Sequence, residues 1–269
     1  MISITPYMMG QMNSVTHTIT HFFLLAFAFG TQLFGPVVST KLTGVGFYKL
    51  GSSIVIGALV FAAGVDYFMK PGLGSYQYLA YGVIIGSNVL GSALHRDEKS
   101  YLMWGLYLVQ ILSFCFLAFS SFQFDPLWIM FFMFSMVLLG ISNFSMLLGH
   151  YYLVVPKLSE EPLVNCLYIF WVAFFLKIVS SFAIIFSLGV PYLQEGSTAG
   201  DGYVYNWLFV SMRYLWGFAA PVILSIFTFK LCRLRSIQSA TGVLYIIEFF
   251  VIVGEMISVY LMAKHGLPL

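Results

Sequence analysis

The feature that most limits what this chain can fold into is a series of eight continuous apolar runs, each about as long as a membrane-spanning helix. Hydrocarbon offers no partners to backbone N–H and C=O groups, so a spanning segment must be a helix or a strand of a closed barrel. Barrel strands alternate in polarity over about ten residues, whereas these runs are continuous. The sequence therefore predicts an all-α, polytopic transmembrane helix bundle of about eight helices. The expected spans are 15–38, 46–68, 74–94, 101–121, 127–154, 163–190, 204–229 and 240–263.

Composition indicates that little of the chain lies outside the membrane. Charged residues make up only 8% of the 269 residues, too few to cover a water-facing domain. We therefore expect a single transmembrane domain over 1–269, with short loops and no soluble domain. The net charge is +2 and there is no basic run, which argues against nucleic acid as a partner. The expected partners are the lipid bilayer and other membrane subunits.

Lysine and arginine residues of the predicted loops are unevenly divided between the two sides of the bundle. One side holds Lys41, Lys49, Arg96, Lys99, Lys157, Lys230, Arg233 and Arg235, and the other holds Lys70 and Lys264. Cytoplasmic loops carry the excess of such residues, so this division predicts that both termini are outside. The expected location is the plasma membrane, which in a Gram-negative bacterium is the inner membrane.

Four charged side chains lie well inside the predicted spans, more than one helical turn from either end, where they are energetically costly and usually functional. They are Lys177, Arg213, Glu248 and Glu255. At about 1.5 Å per residue, Arg213 and Glu255 lie roughly 12–13 Å, and Lys177 about 20 Å, below the outer surface. His21 lies about 9 Å below that surface. We expect His21, Lys177, Arg213 and Glu255 to meet if their helices are neighbours.

Two interpretations of these buried charges remain open. Arg213 and Glu255 can form a structural ion pair, with Lys177 either extended toward the membrane surface or bonded to backbone carbonyls. Alternatively, the charged groups line a cavity that opens to the outside. Glu248 and Glu255 are seven residues apart and share one face of the last helix, which suits a line of proton-carrying groups.

The first two histidines form a candidate metal site. His17 and His21 are four residues apart, so they share one face of the first helix. They follow Met8, Met9 and Met12, and a combination of methionine sulfur with imidazole suits copper. A methionine-rich end is also ordinary in a chain with 13 methionines.

His150, at the end of the fifth span, is a candidate ligand-contacting residue. With Asn143 on the same helix face, it could line a pocket for a head group, or it could ligate haem b together with His95. An interfacial histidine that is hydrogen-bonded beside Tyr151 and Tyr152 explains the residue equally well.

Gly82 and Gly86 form a GxxxG pair in the third span. Such a pair places two small residues on one face of a helix, where a neighbouring helix can approach closely. We expect this face to pack inside the bundle.

These residues favour a membrane subunit of a respiratory or other electron-transfer complex. Its quinol or haem-contacting site would lie in the outer half and contain His21, Lys177, Arg213 and Glu255. Glu255 or His21 would accept protons, and a cation would stabilise developing negative charge. Quinone and haem b are the expected cofactors. The alternatives are a small proton-coupled transporter or channel that uses Glu248, Glu255 and Lys177, and a structural subunit without chemistry.

Overall fold

The computed structural model is an all-helical bundle. It describes the backbone of residues 6–39, 43–69, 74–94, 100–122, 125–155, 159–194 and 202–269, and the side chains from residue 15 onward except residue 188. In chain order the first helices are α1 (Pro6–Leu33), α2 (Val45–Met69), α3 (Ser75–Leu94), α4 (Tyr101–Ser121), α5 (Pro126–Val154) and α6 (Glu161–Ile184). They are followed by α7 (Val190–Leu193), α8 (Tyr203–Tyr214), α9 (Ala220–Arg233) and α10 (Ile237–His265). A 3₁₀ turn at Gly35–Val37 follows α1.

The helices confirm the predicted polytopic transmembrane bundle. Seven helical segments among the described residues are long and apolar enough to cross a membrane. The eighth expected span corresponds to α3, which is helical over 20 residues but carries Gln77, Asn88 and three tyrosines and is not among the seven. All eight expected spans are therefore helical, and α3 is the most polar of them.

Two π-helical turns interrupt the last third of the bundle, and each is followed by a proline. The turn Ile185–Gly189 joins α6 to α7, which contains Pro191, and the turn Leu215–Ala219 joins α8 to α9, which contains Pro221. A proline inside a helix lacks an N–H and its ring clashes with the carbonyl four residues earlier. The wider π turn lies where that carbonyl must be displaced. The segment Tyr203–Arg233 thus crosses as one long, locally widened helix.

Helix α5 is central, because it packs against α1, α6 and α10. The closest approach is between Gly30 of α1 and Gly140 of α5. A Cβ atom added to Gly30 would lie only 2.1 Å from the carbonyl oxygen of Met136 and 2.6 Å from the Cα of Gly140. Since these atoms belong to backbone, they cannot move aside, and only glycine fits at this crossing.

The GxxxG pair of α3 does not have the expected packing role within the chain. Gly82 and Gly86 are exposed, and a Cβ atom added to either would have no described atom within 4 Å. The pair therefore faces away from the rest of the bundle. Close contacts between small residues lie elsewhere in the bundle, as between Gly30 of α1 and Gly140 of α5.

Replacing Gly30 by alanine should destabilise the bundle. The added methyl group must displace the backbone of α5, and we expect a loss of at least about 2 kcal/mol in the free energy of unfolding. The matched control is Gly57→Ala, because Gly57 is exposed on α2 with open space around it. Thermal unfolding in detergent compares the two variants, and an unchanged midpoint for Gly30→Ala would contradict the close crossing.

Candidate functional site

A cavity of about 530 Å³ opens among the helices at the side of the bundle where α1 begins. We call this side the N-terminal side; α2 and α4 end there, and α3 and α5 begin there. The cavity is lined by His17, Thr18, His21, Asp66, Gln77, Ser121, Phe122, Asp125, Pro126 and Trp128. Most of its lining residues are polar, although the helices that supply them are mainly apolar.

A buried carboxylate, Asp66 of α2, organises one wall of this cavity. Its Oδ1 atom lies 2.8 Å from Nε2 of His17 and 2.8 Å from Nδ1 of His21. Its Oδ2 atom accepts a hydrogen bond of 2.8 Å from the hydroxyl of Tyr81 on α3. The second ring nitrogen of His21, Nε2, lies 3.1 Å from the hydroxyl of Ser121 on α4. We call His17, His21, Asp66 and Tyr81 the histidine–aspartate cluster.

Helix geometry explains how this cluster forms. His17 and His21 are one turn apart on α1, and their rings stack with centroids 5.7 Å apart, so both can face one point on α2. Asp66 lies near the end of α2, which packs closely along α1. The start of α3 then returns beside Asp66 and supplies Tyr81.

Sequence reasoning found His17 and His21 but missed Asp66. The residue lies near the end of its apolar run, where a charge is usually close to water and carries no special meaning. Their similar depth in the membrane could have indicated this contact, because Asp66 and the two histidines lie at the same side of the bundle on adjacent, antiparallel helices. The aspartate is fully buried, so it belongs with the other charges of the bundle interior.

The second buried cluster joins α6, α8 and α10. Arg213 donates a hydrogen bond of 2.8 Å from Nη2 to Oε1 of Glu255, and Nζ of Lys177 lies 3.4 Å from Oε2 of the same carboxylate. Lys177 also donates a hydrogen bond of 2.8 Å to the hydroxyl of Ser135 on α5. All three charged side chains are buried. We call Lys177, Arg213 and Glu255 the Glu255 cluster.

Two glycines allow the Arg213 side chain to lie between helices. Gly217, in the π turn just after α8, packs against Gly254 of α10, and a Cβ atom added to Gly254 would lie 2.4 Å from the Cα of Gly217. The Nη1 atom of Arg213 would lie within 3.0 Å of a Cβ atom at either position. The guanidinium also lies over the ring of Phe218, at 4.2 Å from the centroid. This tight enclosure is typical of a structural ion cluster.

Three of the four groups that were expected to meet do so, and His21 lies elsewhere. Lys177, Arg213 and Glu255 are in contact, whereas His21 belongs to the histidine–aspartate cluster. A group of aromatic rings extends from the cavity lining to Lys177. Phe22, Phe122, Trp128, Phe131 and Phe132 pack with one another at centroid distances of 5.1–6.5 Å, and Phe122 and Trp128 line the cavity. The ring of Phe131 then meets Nζ of Lys177 at 4.2 Å. The one expected site is therefore divided into two.

Glu248 lies two turns from Glu255 on α10 but in a different environment. Its Oε2 atom accepts a hydrogen bond from the hydroxyl of Ser142 on α5. Its Oε1 atom is buried and has no hydrogen-bond partner. Among the described residues it forms no ion pair, so Glu248 is separate from both clusters.

His150 is exposed at the opposite side of the bundle, where its Nδ1 atom lies 2.8 Å from the hydroxyl of Tyr245. The structure therefore places it with neither cluster. His95, its expected partner for haem, lies outside the described residues, as do Lys41, Lys70, Arg96, Lys99 and Lys157. The side chains of Met8, Met9 and Met12 are likewise outside the described part.

Comparison with known proteins does not identify this chain. No family model, curated protein or solved structure matches it. The class that the fold and the two clusters define is therefore a polytopic helical membrane protein with a polar cavity at one end.

The Glu255 cluster generates a stability prediction. Replacing Glu255 by glutamine leaves two buried cations without their shared carboxylate, and such a loss costs about 3–5 kcal/mol. We expect a large drop in the thermal unfolding midpoint in detergent. The control is Glu160→Gln, because the pair between Glu160 and Arg235 is largely exposed and should change the midpoint little. Equal effects of the two substitutions would show that the cluster does not hold the helices.

Proposed function

We propose that this protein is a membrane subunit of a respiratory or other electron-transfer complex that binds a quinol in the cavity beside Asp66. By the distribution of lysine and arginine, this cavity opens to the outside, and the membrane is the plasma membrane, or the inner membrane of a bacterium. The single observation that carries the proposal is the cavity itself. Its volume of about 530 Å³ is within the range of small-molecule sites, and its mostly polar lining also contains two aromatic side chains, Phe122 and Trp128.

The aromatic part of the cavity suits a planar ring. Phe122 and Trp128 stack with an interplanar angle of 6° and a centroid separation of 5.7 Å, and both line the cavity. Stacked rings of this kind offer a flat apolar surface to a third ring. A quinol head group could lie against it without losing access to the polar wall.

The polar part suits two hydroxyl groups. Gln77 and Asp125 bring side-chain carbonyl and carboxylate oxygens to the lining, and these accept hydrogen bonds from hydroxyl groups. Asp125 is exposed and begins α5, so it lies where protons can pass to water. Oxidation of a quinol gives a quinone, two protons and two electrons. The protons would leave to the outer water and the electrons would pass to a redox centre of a partner subunit.

The Glu255 cluster has a structural role in this proposal. It contributes no residue to the cavity lining, and its charges are enclosed by glycines and aromatic rings. This assignment moves the quinol site away from Lys177, Arg213 and Glu255. It retains His21 as a residue of the cavity wall.

A proton-coupled transporter is the second candidate, and Glu248 favours it. A buried carboxylate with an unpartnered oxygen lies two turns from Glu255, near the middle of α10. In a transporter, purified protein in liposomes would carry a proton flux that Glu248→Gln abolishes. In the electron-transfer subunit, that substitution should leave quinol binding unchanged.

The quinol site is tested by labelling with a photoreactive azido-quinone. We expect the label on peptides that contain Thr18 and Trp128, and we expect Thr18→Trp to reduce labelling at least about tenfold because the indole fills the cavity. Thr20→Trp is the matched control, since Thr20 is two residues away on α1 and does not line the cavity. Equal labelling of both variants, or labelling confined to α8–α10, would refute the site.

A further inference from the structure

We propose that His17, His21 and Asp66 bind one divalent transition-metal ion of the zinc type. The proposal rests on the contacts of these three side chains and does not depend on quinol binding. It adds a carboxylate ligand from α2 to the two histidines that the sequence had pointed to.

The three side chains converge on one point. One imidazole nitrogen of His17, one of His21 and one carboxylate oxygen of Asp66 all lie within 4.8 Å of one another. Each histidine nitrogen is 2.8 Å from the carboxylate oxygen. Ligand bonds of about 2.0–2.2 Å in tetrahedral geometry place ligand atoms about 3.4 Å apart. Each nitrogen–oxygen distance would have to lengthen by roughly 0.6 Å to reach this separation, which small movements of the three side chains can supply.

The outer contacts of the cluster match those of known metal sites. A metal-bound histidine usually engages its second nitrogen with a polar group, which holds the ring in orientation. His21 does so, because its Nε2 atom lies 3.1 Å from the Ser121 hydroxyl, which can donate or accept. Tyr81 occupies Oδ2 of Asp66 and leaves Oδ1 facing the two histidines. The carboxylate is thus prepared to bind through one oxygen.

A bound cation would also stabilise the negative charge of Asp66. The carboxylate is fully buried, and a buried charge is costly unless it is paired. Within the described part of the chain, its ion-pair partners are His17 and His21 and neither lysine nor arginine. A divalent ion would neutralise the carboxylate and would bind two neutral imidazoles at the same time.

The cavity leaves a coordination position open. Catalytic and exchangeable metal sites keep one position for water or substrate, whereas structural zinc sites use four protein ligands. All three ligand residues line the cavity, so a bound ion would face its interior. Two nitrogens and one oxygen form a donor set that suits Zn²⁺, Co²⁺ and Cu²⁺ and does not suit Ca²⁺ or Mg²⁺, which prefer oxygen ligands.

The test uses Co²⁺ as a spectroscopic probe of the purified full chain, freed of metal and of quinone. We expect one equivalent of Co²⁺ to give the visible absorption of a low-coordinate site, and one equivalent of Zn²⁺ to remove it, with excess Mg²⁺ having no effect. His17→Ala, His21→Ala and Asp66→Asn should each weaken binding by more than about 100-fold. His265→Ala is the matched control. His265 lies outside the cluster, so its replacement should leave Co²⁺ binding unchanged.

A further variant tests the metal site even if the three ligand variants fail to fold. Ser121→Ala retains all three ligands and removes the hydroxyl beside His21, and it should weaken Zn²⁺ binding about tenfold. Absence of stoichiometric Co²⁺ and Zn²⁺ binding by the unaltered protein overturns the proposal. Binding that survives in all the ligand variants overturns it as well. Neither result bears on the quinone-labelling experiment when that experiment is carried out on metal-free protein.

Discussion

A carboxylate that leaves water must be stabilised by polar or charged side chains inside the protein, and the interior of this bundle depends on that requirement. Glu255 satisfies it with Lys177 and Arg213, and this contact joins three helices, α6, α8 and α10. Asp66 satisfies it with two histidines of α1, which joins α1 to α2. Since lipid offers no solvation to these groups, separating any of these helices would expose an unpaired charge to hydrocarbon.

The two carboxylates serve different purposes because their surroundings differ. Glu255 lies in a tightly closed space, where Gly217 and Gly254 approach each other and leave room only for the guanidinium of Arg213. Asp66 lies beside a cavity of about 530 Å³ and has partners that can exchange protons or bind a metal. The closed cluster suits stability, whereas the open one suits a ligand. Chemistry is therefore expected at the N-terminal side of the bundle.

The amino-acid sequence predicts the helices well, because a run of about 20 apolar residues has few alternatives in lipid. It also predicts that the charges of Lys177, Arg213 and Glu255 lie deep in the membrane, because the helical rise per residue gives the depth of each side chain below the surface. Contacts between buried side chains of different helices are harder to predict, because the sequence does not show which helices are neighbours. Depth alone groups His21 with Glu255, although α1 packs along α2 and so brings His21 to Asp66. Likewise, the GxxxG pair of α3 faces outward, and close glycine contacts instead join α1 to α5 and the π turn Leu215–Ala219 to α10.

We propose that the histidine–aspartate cluster is open to the outer water and that the Glu255 cluster is closed. This difference is tested by thiol labelling in intact cells, in a background where Cys115, Cys166 and Cys232 are replaced by alanine. A membrane-impermeant methanethiosulfonate should modify Ser121→Cys, beside the cavity, and should leave Ser135→Cys, beside Lys177, unmodified. Rapid modification at both positions, or modification of Ser121→Cys only from the cytoplasmic side, would contradict the account.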